Sequence, residues 1–485
     1  MNKKWTLYIQ YAILLVLIYF VLFIKLGGFH IRWWDESVFA VNAYEMLQNG
    51  KYFSLYFDNA PDFFNLKPPL SFWFQIVFIK LFGYNELSVR LPSAIAAGLT
   101  VIITFRFVSQ YFSYFWAWIT ALILLTSTGF VGFHCARAGD SDSLLTLFLL
   151  LTNMYFIKFV FTQNKKYILF FFIFMMLSFS VKSFASLFFF PGYLFILIRF
   201  KMFKKFVFNW HFLIGLLLFL SADIALIMSR EMDTKGYINA LLFSDVSRFA
   251  NPIWNEHNHE ALFYLNNLFE SRFVFWAVFF SAGAVLLFFN EQSEKKQILY
   301  TYLVLIISYL LVVSFSVTKL YWYDMPIYSY LSLIAAYPIY LLIENIKYKG
   351  NYLSMSTKYA ILMICVIYPY IIVFNKSQAN TIPVNEKYIE ANEIFLHKKS
   401  KKGEPLDGIK VYYSGWKGGL LFYKYKFTEN NETIILTDDI KELRENDKVL
   451  VCNDSLKKLL SDTYNLISLD SCLNATLYLT TPKTD

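Results

Sequence analysis

Apolar residues run through this chain in long blocks instead of recurring at helix or strand spacing. Stretches free of any charged residue cover Trp5 to Ile24, Tyr114 to Phe133, Phe273 to Asn290, Ile298 to Thr318 and Met325 to Ile343. Each is close to the roughly 20 residues that carry a helix across the hydrocarbon of a bilayer. Six further windows, at Leu91 to Phe105, Ser143 to Ile157, Tyr167 to Val181, Ser183 to Ile198, Asn209 to Ser229 and Tyr359 to Asn375, are shorter or interrupted. They need flanking residues or neighbouring helices to span. The pattern predicts an α-helical polytopic membrane protein of about eleven spans.

Between the spans, Lys3/Lys4, Lys165/Lys166, the run Arg199 to Lys205, Lys295/Lys296 and Lys347/Lys358 fall on one side if helices alternate. The positive-inside rule makes that side cytoplasmic. The first outer loop, Gly27 to Val89, is far longer than the other connections, and long ordered loops usually carry function. Phe39, Ala43, Met46 and Leu47 share one helical face, with Asp35 placed to cap the helix and Asn49-Gly50 to end it. This predicts an amphipathic helix on the membrane surface, and the apolar stretch Pro69 to Phe82 suits the interface as well. Composition changes near Lys376. The remaining residues alternate strand-like runs (Ile409 to Tyr413, Thr433 to Thr437, Lys448 to Cys452, Thr476 to Thr480) with helical ones (Val384 to Lys398, Ser455 to Ser461). The expected organisation is a transmembrane domain over residues 1–375 and a small extracytoplasmic α/β domain over 376–485.

Composition sharpens this picture in two respects. Of 485 residues, 57% are hydrophobic and 16% charged, too apolar for a soluble domain of this size. The formal charge of +9 belongs to the membrane part, because residues 376–485 hold 16 basic and 16 acidic side chains; a nucleic-acid partner is not suggested. Of the 19 acids before residue 376, 16 fall at or near the outer face, an asymmetry that topology rules do not require. The four cysteines show no metal-binding spacing. Cys452 and Cys472 are expected to form a disulfide, since they flank strand segments of a small outer domain.

Ionisable groups at the edge of a membrane core are costly, so each is a candidate for function. One cluster is Arg32-Trp33-Trp34-Asp35-Glu36, followed by Lys67-Pro68 and Arg90-Leu91-Pro92-Ser93. Interfacial tryptophans, a helix cap and snorkelling cations explain it as readily as chemistry does. A second is Arg137-Ala138-Gly139-Asp140-Ser141-Asp142 at a tight outer turn. Lys182 has no acid nearby in sequence and either snorkels or binds an anion, whereas Asp223 reads as a solvated helix end.

Trp34-Asp35-Glu36, Lys67-Pro68, Arg90-Leu91-Pro92-Ser93, Ala136-Arg137 with Asp142-Ser143-Leu144-Leu145, Lys182, Arg248-Phe249, His259 with Phe263-Tyr264, and Thr318-Lys319-Leu320 leading to Tyr323 stand in a telling order. The chain resembles the protein O-mannosyltransferase and aminoarabinose-transferase family of GT-C membrane glycosyltransferases. The resemblance covers about residues 30–330 and leaves the tail out. It implies a sugar donor on a polyprenyl or dolichyl phosphate, a glycan, lipid or protein acceptor, and transfer with inversion on the outer face of the inner membrane. By resemblance Asp35 is the catalytic carboxylate, with Glu36 beside it. Lys67, Arg137, Lys182 and Arg248 are ligands of the lipid phosphate, and Asp140, Asp142, His259, Arg90, Lys319 and Tyr323 line the cavity.

Two positions depart from the aminoarabinose branch: Leu66 stands where that branch has Glu, and Val38 where it has Arg. No cofactor is therefore called for, with a divalent metal left open. A flippase or transporter of lipid-linked sugars would also have many spans, but tends to show internal symmetry and charges near mid-membrane, neither of which is evident. A ligase or polymerase acting on lipid-linked oligosaccharide remains open.

Overall fold

Each of the eleven apolar windows contains helix in the computed structural model, which describes residues 3–32, 34–132, 134–250, 257–289, 293–348, 351–379 and 388–483. Among the described residues seven helices are long and apolar enough to cross a bilayer: Glu86–Tyr111, Asp142–Thr162, Lys166–Leu187, Trp210–Asp233, Glu294–Phe315, Tyr321–Glu344 and Met355–Gln378. Shorter apolar helices occupy Leu7–Phe23, Tyr114–Leu125, Phe190–Arg199 and Ala277–Leu286. The chain divides into two compact units, one of Met1–Ile24, Leu66–Ser71 and Pro92–Ala379, the other of Lys25–Asn65, Phe72–Leu91 and Asn380–Asp485.

In the membrane unit, small residues let helices approach closely, as expected where lipid supplies no hydrophobic drive between helices. A Cβ on Gly215 would lie 2.6 Å from Cδ2 of Phe172, and one on Gly283 only 2.3 Å from the carbonyl oxygen of Ile334. Buried polar groups pair inside the unit, since each left alone would cost several kcal/mol. Asn153 donates to the Tyr330 hydroxyl at 2.6 Å and accepts from Tyr193. Asp223, read from sequence as a solvated helix end, is instead buried on Trp210–Asp233 and accepts a 3.0 Å bond from the Ser180 hydroxyl.

The second unit joins the first outer loop to the tail. Besides the two-residue strands β1 (Tyr56–Phe57) and β2 (Ala60–Pro61) here, and β3 (Lys347–Tyr348) and β4 (Asn351–Tyr352) in the membrane unit, it has a sheet of β5 (Ile409–Tyr412), β6 (Ile434–Thr437) and β7 (Lys448–Val451), all parallel, with β8 (Asn465–Cys472) and β9 (Ala475–Thr481) antiparallel, in the order β6-β5-β7-β9-β8. Helix Gly418–Thr428 connects β5 to β6, and helix Asp454–Thr463 follows β7. The expected amphipathic surface helix is Asp35–Asn49, ended as predicted by Gly50 at φ +67. It does not lie on a surface. Every residue from Glu36 to Met46 is buried, and the helix shares a core with Phe72, Ile76, Phe395, Leu420 and Phe422. Its polar positions are satisfied from within the unit: Asn42 donates to Asp62 at 2.9 Å, and Glu45 accepts from Tyr425 at 2.6 Å. The carboxylate of Glu86 gathers the His397 ring nitrogen at 2.8 Å, Tyr423 at 3.0 Å and Lys426 at 2.8 Å.

The disulfide expectation fails, because Cys452 and Cys472 are free thiols. Cys452 follows β7 and Cys472 ends β8, and β9 lies between these two strands. Two strand spacings of about 4.8 Å each exceed the Cα separation of about 7 Å that a disulfide tolerates.

Gly283→Ala is expected to cost about 1–3 kcal/mol by overpacking Ala277–Leu286 against Tyr328–Glu344. This would be read as a lowered Tm in detergent. An unchanged Tm would show that the two helices do not meet at that carbonyl.

Candidate functional site

Asp35 is the first residue of helix Asp35–Asn49, and Trp34 occupies the capping position without a side-chain cap. Asp35 is therefore not the cap that the sequence suggested. Its carboxylate sits in the first turn, where the helix dipole favours negative charge, and the side chain is half-buried.

The next residue explains how this turn is held. Glu36 is 1% exposed and Arg90 4%. The guanidinium meets the carboxylate through Nε at 2.7 Å and Nη2 at 2.8 Å. Its other N–H groups go to the carbonyls of Leu26 and Phe29, both at 3.0 Å, and of His30 at 2.7 Å. All five donors of Arg90 are used. The Arg32 amide adds a 2.9 Å bond to Glu36, and His30 meets Glu390 at 2.8 Å. Burial holds the His30 imidazole below its ordinary pKa. Arg90, expected in the cavity wall, and Glu36, expected in catalysis, are thus locked to each other; they position the chain that leads into Asp35.

In the membrane unit Lys182, with its partner Asp142, and Asp140, through His134, meet the short segment Tyr321–Ile327, while the other candidates make contacts elsewhere. The Lys182 ammonium lies 2.6 Å from Asp142 and 4.7 Å above the Tyr323 ring, so the acid that sequence proximity could not supply comes from 40 positions away. Asp140 binds the His134 ring at 2.7 Å, and that ring stacks on Trp322 at 3.8 Å. Asp324 takes Arg272 at 3.0 Å. Lys319 donates to the carbonyl of His259 at 2.9 Å, and the His259 ring stacks on Phe263 at 4.1 Å. Arg137 donates to the carbonyls of Val21 and Ile24 at 3.0 and 2.9 Å. The Lys67 carbonyl accepts from Arg230 at 2.9 Å, and the Lys67 side chain is half-buried. Arg248 lies on helix Tyr237–Ala250, with its side chain outside the described residues.

Sequence reasoning missed His134, Arg230, Arg272 and Asp324. The signal was available for the two arginines, because Arg230 closes one apolar run and Arg272 opens another, where an unpaired cation would be expensive. A metal ligand at the position of Leu66 is excluded by its chemistry: the side chain packs with Tyr237 and Leu241 and carries no donor.

Residues 66–224 match the family model described as dolichyl-phosphate-mannose-protein mannosyltransferase. The solved ArnT from Cupriavidus metallidurans bound to undecaprenyl phosphate is similar in fold, with TM-score 0.70 and 14% identity over 99% of this chain and 98% of that one. The Archaeoglobus fulgidus oligosaccharyltransferase in its apo form is similar at TM-score 0.54 and 11% identity, over 90% of this chain and 65% of that one. The fold is that of the GT-C membrane glycosyltransferases. Within that class, the undecaprenyl phosphate-alpha-4-amino-4-deoxy-L-arabinose arabinosyl transferase of Pseudomonas savastanoi pv. phaseolicola is 33% identical over 137 residues, 27% of this chain and 24% of that protein. The second arabinosyl transferase of this name from Pseudomonas fluorescens matches at 33% over 22% of this chain and 18% of its own length. The chain thus spans only about a quarter or less of the curated relatives it matches.

Glu36→Gln removes the countercharge and leaves the Arg90 guanidinium buried and unpaired, a loss expected to cost about 3–5 kcal/mol. Hydrogen exchange in peptides covering residues 26–36 should accelerate strongly. Protection equal to the parent's would deny the pair its structural role.

Proposed function

We propose that the protein is a glycosyltransferase that moves a monosaccharide from a polyprenyl-phosphate carrier to an acceptor on the outer face of the membrane, with inversion. The observation that carries this reading is the fixed helix start that presents the Asp35 carboxylate on a GT-C scaffold. Such a transfer needs a group to take the acceptor's proton and cations to receive the departing phosphate. Asp35 takes the first role, and Glu36 and Arg90 position it. Lys67 binds the lipid phosphate, with Arg137 as a further donor. Lys182 sits within an ion pair with Asp142, so an arriving phosphate competes for a cation already held. The GT-C fold and the arabinosyl transferase matches support this reading.

The reaction balances without a redox partner. The acceptor's oxygen or nitrogen bonds to the anomeric carbon, the bond from that carbon to the phosphate oxygen breaks, and the electron pair leaves with the polyprenyl phosphate. The acceptor's proton passes to the Asp35 carboxylate. Attack from the face opposite the leaving group inverts the anomeric centre.

Asp35→Asn keeps the size of the side chain and gives up a helix-dipole interaction of about 0.3–1 kcal/mol, so folding should change little. Turnover should fall by about 10²–10⁴ because the base is lost. Lys67→Ala should weaken donor binding by about 1.5–3 kcal/mol, the value of one charge-assisted bond. Near-parent turnover by the folded Asn variant would assign Asp35 to structure, and unchanged donor affinity in the Ala variant would assign Lys67 to lipid headgroups.

A further inference from the structure

The tail sheet has a feature that carrier chemistry does not use. From β5 the chain crosses to β6 on one side, and β7 then pairs on the other side of β5. In parallel sheets the crevice at the carboxyl ends of two such strands is where ligands bind. A cavity of about 460 Å³ occupies this place, lined at the end of β5 by Tyr412, Tyr413 and Ser414, and after β7 by Cys452 and Asn453. Its size falls within the roughly 300–1,000 Å³ of small-ligand sites.

The wall is built for hydrogen bonding. Asn392 lines it and is 3% exposed, yet its Oδ1 has no hydrogen-bond partner among the described residues. A buried amide oxygen left so costs about 1–3 kcal/mol, an expense that a ligand hydroxyl removes. Glu393 is 5% exposed, and Gly419 passes so close that a Cβ there would stand 2.7 Å from its Cγ. Burial pushes the Glu393 carboxyl up to about 8, so at neutral pH it is largely a neutral donor. Asn474 and Asp454 add further polar atoms, and Trp416 and Tyr413 add aromatic surface.

Among the described residues the lining contains no lysine, arginine or histidine. Lys457 stands 3.6 Å from Asp454 and donates to Asn474, so that cation is already held by the wall and an anionic ligand would meet the Asp454 carboxylate beside it; a purely apolar ligand would seal the Asn392 oxygen unsatisfied. A neutral polyol satisfies both conditions, giving hydroxyl protons to Asn392 and Asp454 and a C–H face to the aromatic rings. The Cys452 thiol, raised to about 11 by burial, is protonated and offers no nucleophile.

We propose that this cavity binds a neutral saccharide unit, which makes the tail a glycan-holding module. The proposal rests on the cavity and stands whether or not the membrane unit transfers sugar.

The test uses the full chain in lipid nanodiscs, since maltoside detergents would themselves compete. Saturation-transfer NMR is recorded with glucose, galactose, mannose and N-acetylglucosamine, and with galacturonate and inorganic phosphate as anionic controls. At least one neutral sugar should show saturation transfer, and its Kd should rise about tenfold or more in Asn392→Leu. Asp454→Ala, a change at an exposed position, should weaken binding in a protein that folds as the parent does. No transfer to any of the four neutral sugars would overturn the proposal. So would affinity unchanged in both variants, which would place the sugar elsewhere, or galacturonate bound as tightly as the neutral sugars.

Discussion

The start of helix Asp35–Asn49 depends on one saturated guanidinium. Arg90 spends all five N–H groups on the Glu36 carboxylate and on three carbonyls of the segment that runs into helix Asp35–Asn49. A lysine could not do this, since three donors on a point charge cannot meet a planar carboxylate and three backbone oxygens together. A buried ion pair is weak evidence for net stability, because the desolvation it costs offsets much of its attraction. Its value here is specificity. The fork ties the chain from Leu26 to Glu36 to one path, and that path sets where Asp35 begins its helix.

The membrane unit solves its polar problem differently. Successive residues of the segment after Lys319 each take a separate partner: Trp322 stacks on His134, Tyr323 lies under Lys182, and Asp324 binds Arg272. A single short stretch thereby ties down two ion pairs and a His–Asp pair that begin on other helices. Charges held this way keep a defined geometry in a low-dielectric setting, where an electrostatic contact to a phosphate is worth more than in water. The cost is that Lys182 and Arg272 each already hold a carboxylate.

Much of the architecture was legible because its cause is local. A long uncharged apolar block makes helix whatever lies elsewhere, although the blocks at Trp5, Tyr114 and Phe273 yield only the shorter helices Leu7–Phe23, Tyr114–Leu125 and Ala277–Leu286, and Asn49-Gly50 stops a helix by backbone geometry alone. What escaped was set by contacts distant in sequence. The face of Phe39, Ala43, Met46 and Leu47 reads as a membrane-surface stripe until the tail supplies Leu420 and Phe422 to cover it, along with Tyr425 for Glu45. Lys182 looked unpaired because Asp142 lies on another helix, and the pairing of Glu36 with Arg90, 54 positions away, had no local sign. The cysteine error had the same root, since the interposition of β9 between β7 and β8 is a matter of strand order and not of strand identity. Helix Gly418–Thr428 was missed outright; Gly418-Gly419 at its start reads as a turn, although Gly419 is there to pass Glu393 closely.

The central claim is chemical: the carrier's bond to its sugar is broken at this protein. Purified protein in nanodiscs, given a panel of polyprenyl-phosphate sugars with candidate acceptors, tests it directly by the appearance of free polyprenyl phosphate. The account predicts release from at least one donor, with the sugar recovered on an acceptor in inverted configuration. Movement of intact donor between leaflets, with no carrier freed from any of the panel, would contradict it and make the protein a transporter of lipid-linked sugars.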